Sequence, residues 1–446
     1  MPHQRRASPT TTSASTQRRC RRPLESQSPS HREPFQRDAQ LPLAGIRVVD
    51  LTSWWVGGMA TQVLALLGAE VIHIESTGHP DGMRLTGFAL GHPDWWEWGH
   101  MFIAAATNKH AITLDLSTHR GSELLRELIA NSDVFVENFA PRVTESWGFN
   151  HKAVSEINPD IVHLRMPAFG LDGPWRDRPA FAQIIEPMST MVSITGHHGS
   201  RPVAKGGLPD PLGAWHGAFA AMAGIAALRA GRPGTLLEST MAEVALNACP
   251  EPALEWLTDG TLLGLTGNRD FHIAPNDVYP CIGDDEWVAI SVVDNDQWRS
   301  LCKVIGADEL SDDLELNSVA GRRARAEVID ALINSWTAKY EPFQCVEILR
   351  RVGVPTGLVR DPRDLSIDPH LVARSLFEEL DHPVVGRHPI PGLPLRMSGV
   401  DHWLDRPAPT IGRDNSAVLE RVLGLRPSEI TDLAENGIIG DRPDGI

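Results

Sequence analysis

The sequence predicts an α/β fold built on a parallel sheet, followed by a smaller α/β unit. Three observations carry this expectation. Apolar runs of strand length alternate with amphipathic segments of helix length through the first half of the chain. The first two runs, Ile46–Leu51 and Glu70–Glu75, flank a helical pattern, a β-α-β unit whose strands are parallel with a right-handed crossover. The composition, 42% hydrophobic and 22% charged over 446 residues, is sufficient for a sizeable core.

The elements follow in order. Met59–Leu67 places Val63, Leu64, Leu66 and Leu67 at helical spacing, with Gly68 as the stop. Ala111–Leu116 reads as a strand, Ser122–Ala130 as a helix, and Asp133–Glu137 and Ile161–Met166 as strands. The middle of the chain changes character. Trp215–Arg229 is a long helix rich in Ala and Gly, a composition that lets helix backbones approach closely, and Thr240–Leu257 reads as helix again. Trp287–Val293 then reads as a strand among helical stretches near 297–305, 322–338 and 343–352, and a last helix is expected near 427–436. The expected organisation is a large α/β domain over 41–260 with a Rossmann-like parallel sheet, a small domain over 265–370, and a C-terminal segment, 390–446, returning to the large one.

Residues 1–40 stand apart. Eight arginines face three acids, Ser, Thr, Pro and Gln fill most of the rest, and almost nothing apolar is present. Such a segment is expected to be a disordered tail. It has no apolar stretch of the kind a secretory signal needs, whereas the Arg- and Ser-rich composition leaves a transit peptide or a mis-assigned start open.

Charge and motif content exclude several functions. The net charge of −16 argues against general nucleic-acid binding. No apolar run reaches the roughly 18–20 residues of a membrane span. The five cysteines are widely spaced without a C-x-x-C, so a disulfide framework and a zinc ribbon are disfavoured and a cytoplasmic setting is expected. The turn after the first strand, Thr52-Ser-Trp-Trp-Val-Gly-Gly58, lacks the G-x-G-x-x-G spacing that brings backbone against a pyrophosphate, so no nicotinamide cofactor is expected. There is no P-loop, no G-x-S-x-G and no H-E-x-x-H. His197-His198, between two glycines, reads as a loop tip, and no metal site is expected. Thirteen tryptophans include the clusters Trp54-Trp55 and Trp95-Trp96-Glu97-Trp98, which suit either a core or subunit interface or the wall of a pocket for a bulky acyl group.

Asp210 has a structural reading as the N-cap of a helix with Pro211 at its first position. It also has a chemical one. Gly206-Gly207 lets a large ligand come close, and free N–H groups at a helix start can steady an oxyanion or thiolate.

A resemblance adds to this. Leu41–Thr52, Ala60–Ile72, Asn108-Lys109, Leu114–Leu116, Glu137-Asn-Phe-Ala-Pro141, Phe169–Pro174, Gly207-Leu-Pro-Asp-Pro-Leu-Gly213, Glu243–Asn247 and Gly267-Asn268 resemble, in collinear order, the motifs of class III CoA-transferases. The resemblance implies the class III CoA-transferase fold, coenzyme A and acyl-CoA as substrates, and Asp210 as a nucleophile that forms an acyl anhydride and then an enzyme–CoA thioester. It implies CoA contacts from Asn138, Phe139, Lys109, Arg142 and Trp54, and two interlinked chains, as a homodimer or with a homologous subunit. Departures are visible. Relatives carry Arg where this chain has Glu145-Ser-Trp-Gly148, and Lys-Arg where it has Lys109-His110. α-Methylacyl-CoA racemases share the same motifs. Their catalytic His falls within Pro179-Ala-Phe-Ala-Gln183, where this chain has none, and Asp294 stands where they carry a Glu. A non-catalytic subunit of a paired transferase is the third reading, against which the retained Asp210 argues.

Overall fold

The computed structural model describes residues 41–87 and 91–445, so the N-terminal tail expected over 1–40 lies outside the described residues. Six strands, β1 (Arg47–Leu51), β2 (Glu70–Glu75), β3 (His110–Thr113), β4 (Val134–Glu137), β5 (Val162–Arg165) and β6 (Thr235–Glu238), form one sheet in the order β3-β2-β1-β4-β5-β6. Every pairing is parallel, with Val48 opposite both Val71 and Val134. Successive strand residues face opposite sides, so runs such as Val48-Val49 must be covered on both. Val48, Val71, Val136 and Leu164 join one core with the helices Trp54–Leu66 and Pro209–Arg229. Val49, Ile72, Ile112 and Phe135 join the other, against the helix His119–Ala130 and the C-terminal helices Asn415–Leu423 and Pro427–Glu435.

Contrary to the sequence expectation, one helix, Pro209–Arg229, is by length and composition long and apolar enough to cross a membrane. Its buried face of Gly213, Ala214, Gly217, Ala218, Ala221 and Gly224 explains the composition. A Cβ at Gly213 would lie 2.9 Å from Val56, and one at Gly217 2.6 Å from Met166, so small residues let this helix settle onto the helix 54–66 and onto β5.

The second unit is a three-stranded antiparallel sheet, β7 (Asn276–Pro280), β8 (Trp287–Ser291) and β9 (Thr356–Leu358). Trp298, Leu301, Ile333, Trp336 and Leu349 from its helices form a core with Tyr279, Val288 and Ile290. The chain then makes the hairpin β10 (Phe377–His382) and β11 (Gly386–Pro391), whose Leu380 and Ile390, with Leu393, Trp403 and Leu404, belong to the first core.

Four boundaries differ from the sequence expectation. The first helix begins at Trp54 rather than Met59, because Gly57 and Gly58 serve as close-packing positions inside it; a Cβ at Gly57 would fall 2.3 Å from Cβ of Thr52. The helix read over 240–257 is two, Met241–Ala248 and Glu251–Asp259, divided at Cys249-Pro250. The stretch 322–338 likewise divides near Arg325. The long helix starts at Pro209, which places Asp210 at its second position, in the first turn, and not at the N-cap.

Candidate active site

In an open parallel sheet, ligands bind beyond the carboxyl ends of the strands where the strand order reverses. Here that point lies between β1 and β4, since β2 and β3 continue to one side and β5 and β6 to the other. A cleft of about 240 Å³ opens there. Ser53, Trp54 and Val56 line it after β1, Asn138, Phe139 and Ala140 after β4, and Met166 and Ala168 after β5. Arg178–Phe181, Asp210 and Met241 complete it.

Among the described residues, Asp210 is the one carboxylate in this lining. Burial drives its pKa up to about 6, the Val56 amide pulls against that, and the nearby Glu186 carboxylate adds to the rise. Glu186 itself is held ionised. Burial works against its charge, but its carboxylate accepts hydrogen bonds from the amides of Gly206 (3.0 Å), Gly207 (2.9 Å) and Leu208 (3.2 Å). These amides belong to Gly206-Gly207, the pair expected from the sequence to let a ligand come close, and to the residue after them. Glu186 takes them, and the loop Gly206–Leu208 is thereby fixed where Asp210 begins.

Of the residues singled out from the sequence, Trp54, Asn138 and Phe139 meet Asp210 in the cleft. Asn138 clips two loops together. Its side chain accepts from the Ser53 amide (2.9 Å) and donates to the Ser53 carbonyl (2.7 Å). Phe139 is placed by Glu137, which accepts its amide at 2.9 Å and pairs with buried Arg165, and its ring meets Trp147 edge-on. Trp54 sits at φ +67°, a left-handed conformation unusual for a bulky residue, with its amide donated to Asp81 at 3.0 Å. Its ring meets Phe181 edge-on at 5.1 Å, and both rings are exposed on the cleft.

Lys109 and Arg142 do not line it. Lys109 is 1% exposed, and its ammonium donates to Asp50 (3.0 Å), the Gly58 carbonyl (2.7 Å) and Thr61 (2.8 Å). All three of its protons are used inside, tying β1 to the first helix. Burial would lift the Asp50 carboxyl, but Lys109 and His73 hold it far below the usual carboxylate range. Arg142 is exposed on the short helix Pro141–Ser146, with its backbone amide on Asp177. Trp95, Trp96 and Trp98 also lie outside the cleft lining, and Trp96 is buried in its own short turn. Asp294 caps the helix Asn295–Ile305 in the small unit, accepting from Gln297. Among the described residues no group of three or more His, Cys, Asp or Glu is disposed to hold a metal, and His197 and His198 line a separate cavity.

Three residues were not visible as site residues in the sequence. Glu186 and Asp81 shape the cleft by accepting hydrogen bonds from distant backbone amides, and Glu186 also by its charge beside Asp210, roles that no spacing announces. Arg178 lies in a Pro-flanked loop without periodicity.

The model of CoA-transferase family III matches residues 43–415. The chain belongs to CoA-transferase family III. It is 32% identical over 417 residues to a formyl-CoA:oxalate CoA-transferase of Streptomyces avermitilis, covering 89% of this chain and 99% of that one. It is 29% identical over 401 residues to a succinyl-CoA–D-citramalate CoA-transferase of Chloroflexus aurantiacus, covering 89% and 98%. It spans about half (51%) of a probable CoA-transferase, Rv1866, of Mycobacterium tuberculosis, at 29% identity. Among solved structures, a CAIB/BAIF family protein from Brucella suis superposes with a TM-score of 0.77 at 26% identity over 86% of this chain and 100% of that one. Family III CoA-transferases take CoA thioesters as substrates, and this chain is a transferase of that family.

Proposed function

We propose that this protein moves CoA from an acyl-CoA to a free carboxylic acid, with Asp210 as the nucleophile. The observation that supports this best is the placement of Asp210, among the described residues the one carboxylate in a largely apolar cleft at the switch point of the sheet. With its pKa near 6 it is mostly ionised at pH 7 yet poorly solvated, which favours attack on a thioester carbon. In the first step a carboxylate oxygen of Asp210 bonds to the acyl carbon and the C–S bond breaks. This leaves a mixed anhydride and CoA thiolate. The thiolate then attacks the aspartyl carbonyl, releasing the acyl group as a carboxylate and forming an aspartyl-CoA thioester. The acceptor carboxylate reverses both steps. Trp54, Phe139, Phe181, Met166 and Met241 surround the reacting atoms with apolar surface, which disfavours hydrolysis of either intermediate.

CoA enters this reading through Trp54, Asn138 and Phe139, which shape the cleft, rather than through Lys109. The named donors of relatives are formyl-CoA and succinyl-CoA, and their acceptors oxalate, citramalate and malate, all small acids. The chain is read as a cytoplasmic enzyme that works with a second chain. The helix Glu251–Asp259 buries none of its own residues and exposes Leu254, Trp256 and Leu257, with Leu262 and Phe219 also exposed. Apolar area on that scale fits a surface covered by another subunit. Relatives named as α and β subunits make a homologous partner an alternative to a second copy.

The test is exchange between acyl-CoA and free-acid pairs followed by mass spectrometry, for the native protein and for Asp210→Ala. Transfer that disappears in the variant supports the reading. Undiminished transfer contradicts it, as does exchange of an α-deuteron without any transfer.

A further inference from the structure

We propose that the Asp81-Gly82 turn positions the Trp54 indole, and that Gly82 thereby sets how bulky an acyl group can lie beside Asp210. The inference deepens the reading of the cleft given above and rests on it for the place of the acyl group. The link to Asp210 runs through one turn of helix. Trp54 and Val56 both belong to the first turn of the helix Trp54–Leu66, and the Val56 amide is donated to the Asp210 carboxylate. Trp54 and Asp210 line the same cleft, where the indole, 38% exposed, meets the Phe181 ring edge-on at 5.1 Å.

Two contacts fix the indole from behind. Asp81 accepts the Trp54 amide at 3.0 Å and so holds that backbone at its φ of +67°. Gly82 supplies the bed. A Cβ there would land on the indole, against Cζ2 and Cε2 and 2.8 Å from Nε1. No side-chain carbon packs so closely, so the ring lies where it does only over a glycine. The backbone makes no such demand, since Gly82 opens the short turn Gly82–Thr86 without a positive φ. The turn itself is locked. Asp81 also accepts the Met83 amide (2.9 Å) and donates its own amide to Glu75 (2.9 Å). Buried Arg84 pairs with Glu75 and Glu97, each at 2.7 Å. Met83 packs back on the helix at Gly58, where a Cβ would fall 2.7 Å from its Cε. Turn and helix thus interlock through two glycines, each receiving a side chain of the other element. Behind the indole stands this packed, ion-paired turn, and in front of it lies the cleft. A methyl added at Gly82 is therefore relieved by movement of the ring toward Phe181 and the cleft. The space is taken from the acyl group, and a bulky acyl group loses more than a small one.

The test uses full-length protein carrying Asp210→Asn, which binds without reacting, and compares benzoyl-CoA with acetyl-CoA by calorimetry. Adding Gly82→Ala should weaken benzoyl-CoA relative to acetyl-CoA by about tenfold, the scale on which an apolar wall reads one methyl group. Trp54→Phe, with Gly82 kept, should move the ratio the other way, and this arm stands even where Gly82→Ala folds poorly. Beside Trp54→Val, Gly82→Ala should no longer move the ratio, because no ring is left to displace. A general loosening of the fold would not be cancelled in this way. A ratio unmoved by Gly82→Ala in folded protein, or unmoved by Trp54→Phe, overturns the proposal. So does an equal loss for both ligands, which would place the indole on CoA itself, and so does an effect of Gly82→Ala that persists beside Trp54→Val. Transfer rates of the protein with Asp210 intact are read in parallel. A binding ratio that depends on Gly82 and Trp54 in a protein with no transfer leaves the wall standing and removes the transferase mechanism. Transfer with a ratio that neither residue moves does the reverse.

Discussion

Asp210→Asn is expected to stabilise the protein at neutral pH while ending its chemistry. The folded carboxyl titrates near 6 instead of 3.8, chiefly because burial disfavours its charge. At 1.36 kcal/mol per pH unit, the ionised group carries about 3 kcal/mol of unfavourable free energy in the fold. The side chain is partly open to solvent, so a measured gain of about 1–3 kcal/mol is the reasonable expectation. The sign follows from proton counting. Between pH 4 and 6 the unfolded chain releases this proton before the folded one does, so the native protein loses stability as pH rises through that window. Below pH 4 both states hold the proton and the penalty vanishes. The amide has no such titration. Urea unfolding of both proteins at pH 4, 5, 6 and 7.5 should therefore show the variant gaining on the native protein up to about pH 6 and holding its lead above. A native protein as stable as the variant at pH 7.5, or a difference independent of pH, would refute the reasoning that Asp210 is a poorly solvated carboxylate.

Other expectations follow from the same contacts. The acylation rate should fall about tenfold per pH unit below pH 6, and Glu186→Gln, by removing a like charge, should move that limb to lower pH; a limb unmoved by the substitution would separate Glu186 from Asp210. Lys109→Met should destabilise the fold by about 3–5 kcal/mol by leaving Asp50 buried without its partner. In whatever folds, KM for acyl-CoA should stay within about twofold, and a selective rise in KM would return Lys109 to the CoA site. Gly57→Ala should cost about 1–3 kcal/mol in thermal or urea unfolding, because the new methyl meets the branched Cβ of Thr52 at 2.3 Å and neither backbone can yield easily.

The sheet was legible because its strands are buried on both faces, which writes them around consecutive apolar residues such as Val48-Val49, Val71-Ile72 and Val134–Val136. The strand Thr235–Glu238, with alternate residues exposed, carries no such run and was not anticipated. Helix starts were the weak point. Gly57, Gly58 and Pro209 read locally as breakers, yet the glycines serve close packing against Thr52 and Met83, and Pro209 takes the first helical position, where its missing N–H is no loss. In the cleft, Trp54, Asn138 and Phe139 were reachable through motifs that directly follow strands, and Asp210 through the motif at the start of a long helix, each picked out by the family resemblance. Lys109 sits in a resembling motif too, just ahead of β3, and only burial shows its charge turned inward. Glu186, Asp81 and Arg178 act through hydrogen bonds to distant backbone or from an irregular loop, and sequence periodicity has nothing to say about either.

The central claim is that Asp210 carries the CoA. It is tested most directly by mixing the protein with an acyl-CoA, reducing with borohydride, and sequencing the peptide spanning 206–229 by mass spectrometry. An aspartyl-CoA thioester is reduced to homoserine, so the account predicts a loss of about 14 Da at position 210, absent without acyl-CoA. An unmodified Asp210 in a preparation that is turning over acyl-CoA would contradict it.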